Sequence, residues 1–188
     1  TAQQDLNTIK LENKLCIGKG GSGKDPDTGE AIIEERREDV LDFMRYSFGK
    51  TFDRIMVCAG AGGGSGTGML LPLIDIAKEV QALHQTIDQK VGVILTLPKI
   101  SEGNKVNHNA FKLMKKLFPL VLRKVVSPLI ILDNEKMSKL HPNVPVSKFW
   151  DVANSNLAGL FHLFNLTSSK DSSYTAFDKN DYKGILDS

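Results

Sequence analysis

The sequence has no apolar run long enough to cross a membrane. A spanning helix needs about 20 consecutive apolar residues, whereas charged residues make up 24% of this 188-residue chain and interrupt every apolar segment. The opening residues, TAQQDLNT, also lack the basic and apolar regions of a signal peptide. We therefore expect no membrane partner and a cytoplasmic location.

Cysteine is scarce, and neither sign of charge predominates. Cys16 and Cys58 lie in separate apolar runs at no metal-binding spacing, so we expect two buried free thiols, no disulfide and no metal ligands. The 24 Lys and Arg and 22 Asp and Glu are interspersed, with a net charge of +2. This pattern predicts no basic stripe and no direct contact with nucleic acid.

The apolar periodicity predicts strands that alternate with helices. Strands are predicted at 13–18, 54–60, 90–98 and 127–134, and helices at 30–48, 66–83, 107–124 and 146–166, with Pro119 kinking or ending the third helix. This order is typical of an α/β fold with a doubly wound, mostly parallel sheet, here ending in a long helix. We expect a nucleotide-binding α/β region at 1–145 and a helix with its following loop at 146–188.

Glycine is concentrated in one loop between a predicted strand and a predicted helix. The sequence GGGSGTG at 62–68 has five glycines in seven residues. Without Cβ atoms the backbone can approach a ligand, and successive N–H groups form an anion nest at a helix N-terminus. Ser65 and Thr67 add hydroxyl donors. The favoured ligand is a phosphate chain, and the alternative is a tight turn with close packing of helix on strand.

A second glycine-rich loop, GKGGSGKD at 18–25, nearly fits the P-loop pattern. Asp25 stands where that pattern needs a hydroxyl for magnesium, and Pro26 follows it. The segment is either a phosphate-facing loop of another kind or a surface loop in which Asp25 or Asp27 caps the next helix.

A third loop, LPKISEGNK at 97–105, also follows a predicted strand. Glu102 could accept hydrogen bonds from a ribose and Lys105 could meet phosphate, although an ordinary helix start has the same composition.

The last two candidates lie near the end of the chain. Phe149 or Trp150 is about one turn from Asn154, a spacing that suits stacking on a purine and reading its edge, or else a core aromatic beside a surface amide. Asp178 and Asp181, three residues apart, are either a water-activating pair or a helix-capping pair.

Taken in chain order, these segments resemble the tubulin/FtsZ superfamily of filament-forming GTPases, and most of all its TubZ branch. The motifs are TAQQDLNTIK, GKGGSGKDP, AGAGGGSGTGML, LPKISEGNK, LDNEKM, WDVANSNL and FDKNDYKGIL. AGAGGGSGTGML is similar to the family's signature loop, with Ser65 in place of the usual threonine. Val106 departs from the pattern, because the ribose loop usually has a basic residue there.

The resemblance implies a binding site for GTP or GDP, with Mg²⁺ held mainly through the phosphates. The α- and β-phosphates would lie against Gly62, Gly63, Gly64, Ser65, Gly66, Thr67 and Gly68. The γ-phosphate would lie under Gly20, Gly21, Ser22, Gly23 and Lys24. The nucleoside would meet Glu102 at the ribose, Asn134 at the sugar or base, and Phe149 or Trp150 with Asn154 at the guanine.

The resemblance also implies assembly-dependent GTP hydrolysis in a head-to-tail homopolymer. Asp178 and Asp181 would belong to a loop that enters the nucleotide site of the next subunit. Such filaments segregate plasmid or phage DNA in the bacterial cytoplasm through a DNA-binding adaptor. The alternatives are a cell-division GTPase, a non-hydrolysing relative associated with filaments, and a monomeric P-loop kinase, which the broken P-loop pattern disfavours.

By the same resemblance, part of the family's domain should lie outside this sequence. Its first strand and first glycine loop should precede Thr1, and its activation domain should follow Ser188. The alternative is a degenerate relative that cannot hold nucleotide tightly.

Overall fold

A computed structural model describes residues 3–49, 52–84, 89–168 and 177–187 of the chain. The strands in these ranges are β1 Met56–Gly60, β2 Val91–Leu97 and β3 Val126–Asp133. The helices there are α1 Gln3–Thr8, α2 Pro26–Glu35, α3 Arg37–Ser47, α4 Gly64–Leu83, α5 Asn104–Leu122, α6 Asn134–Leu140, α7 Val146–Ser168 and α8 Lys179–Asp187. One 3₁₀ turn, Ile100–Glu102, precedes α5. No helix among these residues is long and apolar enough to cross a membrane.

The three strands form one sheet in the order β1-β2-β3. Strands β1 and β2 are parallel, with Met56 opposite Gly92 and Gly60 opposite Thr96. Helix α4 connects β1 to β2, and α5 connects β2 to β3. This arrangement confirms the predicted α/β fold class. It also brings the loops after β1 and β2 to the same end of the sheet, at the carboxyl ends of the strands. Ligands bind at this end in folds of this kind.

The chain divides into two compact units, Thr1–Ile131 and Leu132–Ser188. In the first unit, apolar residues of α4 and the sheet are fully buried, among them Leu70, Ile74, Ile76, Ala77, Val80, Val91, Val93 and Leu95. Each large aliphatic side chain buried in this way contributes about 1.5 to 3 kcal/mol. Helix α4 is therefore anchored along its length, and its N-terminus is held beside the carboxyl end of β1.

At the opposite end of the sheet, Gln81 links the starts of β1 and β2. Its side chain is fully buried near the end of α4. Its Oε1 accepts a hydrogen bond from the backbone N–H of Ile55 at 2.7 Å, and its Nε2 donates to the carbonyl of Lys90 at 3.1 Å. These two backbone groups immediately precede β1 and β2, so one amide fixes the starts of both strands.

Two predicted elements differ in the structure. The strand predicted at 13–18 is absent, because no described strand pairs with this segment. The single helix predicted at 30–48 is two helices, since the backbone at Arg36 (φ −109°, ψ 22°) leaves the helical region between α2 and α3. Pro119 does not end α5, which continues to Leu122.

The predicted burial of both cysteines is wrong. Cys58 is exposed and Cys16 is half-buried. Successive side chains of a strand point to opposite faces of the sheet, and that of Val57 is buried on one face of β1 while that of Cys58 is exposed on the other.

The described residues of the second unit, 132–168 and 177–187, form three helices and the end of β3. Helices α6 and α8 both pack against α7. The rings of Phe164 on α7 and Tyr182 on α8 stack with centroids 6.1 Å apart. Near the start of α7, Phe149 and Ala153 are buried.

Candidate functional site

Helix α4 begins directly after the loop that follows β1. Gly63 is its N-cap residue, and the backbone N–H of Gly62 donates to Thr67 Oγ1 at 2.8 Å. The first N–H groups of any α-helix lack partners within the helix and carry partial positive charge. Because α4 has 20 residues and starts at the carboxyl edge of the sheet, its N-terminus is suited to an anion.

Three glycines of this loop are required by packing within the chain. A Cβ on Gly64 would lie 2.6 Å from the carbonyl oxygen of Asp25. A Cβ on Gly68 would collide with the Pro26 carbonyl oxygen at the start of α2, and one on Gly66 would collide with the carbonyl oxygen of Gly60 in β1. Because these three glycines have no Cβ atom, the backbones of α2 and β1 can contact the backbone of α4.

The remaining two glycines differ from each other. Gly62 has φ +98°, and a Cβ on it would lie 2.5 Å from Cγ1 of Val106. Val106, the departure from the family pattern, is thus a buried packing residue. No described atom lies within 4 Å of a Cβ on Gly63. Packing therefore accounts for four of the five glycines, and only Gly63 leaves open space beside the helix N-terminus.

Three glycines of the second loop, at 18–25, have open space around them, whereas most glycines of the first loop are packed against other residues. No described atom lies within 4 Å of a Cβ on Gly20, Gly21 or Gly23. Gly23 and Lys24 are both left-handed, with φ +59° and +58°. The backbone N–H of Asp25 donates to the carbonyl of Ser22 at 2.9 Å, which closes a tight turn over these two residues.

Two contacts join the glycine loops. The hydroxyl oxygens of Ser22 and Ser65 lie 3.0 Å apart, in hydrogen-bond distance, and Ser22 is buried. On α5, Asn109 Nδ2 donates to the carbonyls of Lys24 and Gly62, both at 3.1 Å. The loops at 18–25 and 62–68, far apart in sequence, therefore form one structure around the start of α4.

Asn109 was missed in the sequence, although a signal was present. It lies on the buried face of α5 with Val106, Ala110 and Leu113. A buried amide needs hydrogen-bond partners, so a polar residue at this periodic apolar position predicts a structural role.

Asp25 is the N-cap of α2, as one of the sequence alternatives predicts. Its carboxylate accepts hydrogen bonds from Thr28 Oγ1 at 2.6 Å and from the backbone N–H of Asp27 at 3.3 Å. The Thr28 hydroxyl, with help from the Asp27 N–H and the charge of Lys105, lowers the pKa of Asp25 below its usual value. The residue that breaks the P-loop pattern thus starts the helix that packs on α4.

Glu102 lies in the 3₁₀ turn after β2. Its Oε1 accepts a hydrogen bond from the backbone N–H of Lys99 at 2.7 Å, and its side chain is exposed. One carboxylate oxygen is therefore used locally, and the ribose contact stays a prediction.

In the second unit, Asn134 is buried at the first position of α6. Asp133 caps this helix by accepting from the N–H groups of Glu135 and Lys136 at 2.9 and 3.1 Å. The Asn134 side chain is 3% exposed, and no described residue donates to its Oδ1. A buried acceptor without a donor is costly, which suits a residue whose partner is a ligand.

The two aromatic residues of α7 have different environments. Phe149 is 5% exposed and belongs to the core of the second unit, whereas Trp150 is 46% exposed. Their rings meet edge to face, with centroids 5.1 Å apart. Asn154 is exposed one turn further along α7. Of the two rings, that of Trp150 is the one available for stacking.

Asp178 and Asp181 cap the N-terminus of α8. Asp178 Oδ1 accepts from the N–H groups of Asn180 and Asp181, and Asp181 Oδ2 accepts from the N–H of Asp178 at 3.1 Å. Both side chains are exposed. This is the capping arrangement that the sequence left open, and their role in catalysis stays a prediction.

The parallel strands β1 and β2, with a glycine-bounded helix N-terminus at their carboxyl ends, define an α/β protein. Residues 1–142 match the Tubulin/FtsZ family, GTPase domain. The chain therefore belongs to the tubulin/FtsZ family.

Individual relatives agree with this assignment. The tubulin-like protein TubZ of Bacillus cereus is 25% identical over 99% of this chain and 43% of its own length. The cell division protein FtsZ of Methanothermobacter thermautotrophicus is 32% identical over 84% of this chain and 38% of its own length. The chain spans less than half the length of these two relatives.

Solved structures share the fold. An empty FtsZ dimer from M. jannaschii superposes with a TM-score of 0.71 and 25% identity, covering 98% of this chain and 50% of that chain. A GTPγS-bound protofilament of CetZ2 from Haloferax volcanii gives a TM-score of 0.74 and 24% identity, covering 93% and 49%.

Proposed function

We propose that the chain binds GTP and GDP with the phosphates at the start of α4. The observation that carries the proposal is that two glycine loops, joined by Ser22, Ser65 and Asn109, surround one helix N-terminus. The N–H groups of that terminus favour negative charge. The open backbone at Gly63 leaves room for the phosphates, and Mg²⁺ would be held mainly by the phosphates themselves.

For the nucleoside, we propose Trp150 as the stacking ring, Asn154 as the guanine reader and Asn134 as the sugar or base contact. Support comes from the exposed indole, the exposed amide and the buried Asn134 oxygen that lacks a donor. Glu102 would meet the ribose through the carboxylate oxygen that does not bond to Lys99.

We further propose that the protein forms a head-to-tail filament and hydrolyses GTP where subunits meet. Support comes from two of the matched structures, an FtsZ dimer and a GTPγS-bound CetZ2 protofilament. Asp178 and Asp181 would act on the nucleotide of the neighbouring subunit. Hydrolysis by such a divided site depends on assembly, and loss of the γ-phosphate would weaken the contact between subunits.

The proposed role is segregation of plasmid or phage DNA in the bacterial cytoplasm through a DNA-binding adaptor. The similarity to TubZ supports it. The similarity to the cell division protein FtsZ favours a second candidate, a division GTPase with the same polymerisation cycle.

The direct test is GTP turnover as a function of protein concentration, followed together with light scattering and with ATP as a control. A site completed by assembly predicts negligible turnover per subunit below a critical concentration, then a joint rise of turnover and scattering with GTP only. Turnover per subunit that is constant with concentration, without scattering, would instead indicate a monomeric enzyme.

The aspartates need variants that separate capping from catalysis. Asp178→Asn and Asp181→Asn keep an oxygen that can cap α8 but remove the carboxylate, whereas the alanine variants remove both. If the pair is catalytic, the asparagine variants assemble with GTP but hydrolyse it slowly. If the asparagine variants hydrolyse GTP at the wild-type rate and only the alanine variants fail, the aspartates serve α8 alone.

A further inference from the structure

Ser22 lies at the boundary between the open and the anchored parts of the loop at 18–25. The two glycines that precede it, Gly20 and Gly21, are exposed, and a Cβ on either would meet no described atom within 4 Å. Ser22 itself is only 7% exposed, although serine is mostly a surface residue. It is therefore the first anchored residue after the open glycines.

The turn that begins at Ser22 lies directly on the start of α4. The backbone N–H of Asp25 donates to the carbonyl of Ser22 at 2.9 Å. The backbone nitrogen and oxygen of Asp25 would lie 2.7 and 2.6 Å from a Cβ on Gly64, the first residue of α4. These backbone contacts hold residues 22–25 against the helix without using the side chain of Ser22.

The side chain of Ser22 adds a hydrogen bond between the two glycine loops. Its hydroxyl oxygen lies 3.0 Å from that of Ser65, the second residue of α4, and either hydroxyl can be the donor. A Cβ on Gly64 would collide with the Ser22 oxygen, so the glycine at this position lets the two hydroxyls meet. The buried hydroxyl of Ser22 is thus directed toward α4.

The two loops differ in how much order a ligand must impose on them. Packing holds the backbone at four of the five glycines of the loop at 62–68, whereas no such packing surrounds Gly20 and Gly21. Glycine loses more conformational freedom on ordering than any other residue, and a ligand that must order a loop binds more weakly. The anchor at Ser22 shortens the segment that a bound phosphate has to order.

We propose that Ser22 is a positioning residue for the terminal phosphate of GTP and acts through Ser65. This rests on the function proposed above, with the γ-phosphate under the loop at 18–25 as the family resemblance implies. Because GDP lacks the γ-phosphate, it does not use that loop. The hydroxyl pair therefore raises the affinity for GTP more than the affinity for GDP, and it sets the preference of the site between the two nucleotides.

The test is calorimetry of the full chain with GDP and with the slowly hydrolysed analogue GTPγS, both with Mg²⁺. Ser22→Ala removes the hydroxyl. Since one hydrogen bond between neutral groups corresponds to roughly a three- to tenfold change in an equilibrium constant, GTPγS should bind about three- to tenfold more weakly. GDP should bind within about twofold of wild type. A merely structural role would weaken both nucleotides alike.

Ser65→Ala removes the other end of the same hydrogen bond. It should lower the ratio of GTPγS to GDP affinity as much as Ser22→Ala does, and the double variant should lower it no further, because the two changes remove one shared interaction. Ser65→Thr keeps the hydroxyl and should keep the wild-type ratio. Since Ser65 is half-buried, Ser65→Ala provides the same test if Ser22→Ala fails to fold.

Thr28→Ala is the matched control. It removes a hydroxyl on α2 that donates to the Asp25 carboxylate at 2.6 Å and does not join the two loops. The ratio of GTPγS to GDP affinity should stay at the wild-type value in this variant, even where the free energy of unfolding falls. Urea denaturation of every variant separates a loss of stability from a loss of selectivity.

Three results would overturn the proposal and leave the proposed function intact. They are a Ser22→Ala variant with the wild-type ratio of affinities, single-variant losses that multiply in the double variant, and an equal loss of the ratio in Thr28→Ala. Wild type that binds neither GDP nor GTPγS would instead contradict the proposed function itself, and the role of Ser22 would fall with it.

Discussion

Two glycine-rich loops meet at the start of α4, but their glycines have different surroundings. In the loop at 62–68, atoms of the chain itself occupy the place of a Cβ at four of five glycines. In the loop at 18–25, no described atom is near a Cβ on Gly20, Gly21 or Gly23. The first loop uses glycine mainly to bring α2 and β1 onto α4, whereas the second leaves backbone exposed. A glycine-rich motif alone therefore does not show where a ligand binds.

The largest effect is expected from Gly68→Ala. The new Cβ would collide with the Pro26 carbonyl oxygen and lie 2.7 Å from the backbone nitrogen of Glu30. Since both are backbone atoms, α2 must move away from α4, and the free energy of unfolding should fall by about 3 kcal/mol. Urea denaturation measures this. Gly159→Ala, at an open position in α7, is the control and should not destabilise the protein. A Gly68→Ala variant as stable as wild type would contradict the packing account.

Asn109→Ala tests the connection between the loops. It removes the donor for two carbonyls, those of Lys24 and Gly62, at a buried site. We expect a loss of about 2 kcal/mol in the free energy of unfolding. Asn107→Ala, which removes hydrogen bonds at a less buried position of the same helix, should cost less than about 1 kcal/mol. Equal losses for the two variants would mean that Asn109 has no special role.

In the loop at 18–25, we expect glycine substitutions to change the free energy of unfolding only through the backbone conformation that each position requires. Gly23→Ala forces a side chain into the left-handed region, at a cost of about 1 kcal/mol. Gly20→Ala, where space is open and φ is not left-handed, should change the unfolding free energy by less than about 0.5 kcal/mol. Thermal unfolding of the two variants measures both changes in stability. A large loss at Gly20 would show that this loop is packed like the other.

The sequence predicts the fold better than the details of the site. The alternation of strands and helices gives the fold class, because buried strands are continuous apolar runs and buried helix faces recur every three or four residues. The break at Arg36 was missed, since residues on both sides of it have the same helical periodicity. The exposure of Cys58 was also missed, because an apolar run does not show which face of the strand other elements cover.

The candidate site residues were chosen by their chemical type, and the residues that contact them could not be predicted. Asn109, Gly29 and Val106 act through contacts with residues distant in sequence; a Cβ on Gly29, for example, would collide with the carbonyl oxygen of Gly64. The periodicity of apolar residues does not show which positions distant in sequence are in contact. The alternatives left open for Asp25 and for the Asp178 and Asp181 pair depended on hydrogen bonds that only coordinates reveal.

The central claim is that the backbone at the start of α4 receives the phosphates of GTP. The most direct test is GTP affinity of Gly63→Ala, measured by calorimetry beside its unfolding free energy. Because the new methyl group meets no described atom, the only expected cost is that of alanine at the N-cap of α4, and stability should fall by no more than about 1 kcal/mol. If phosphate occupies that space, GTP affinity should fall about tenfold or more, equivalent to at least about 1.4 kcal/mol. A folded variant that binds GTP as tightly as wild type would contradict the claim.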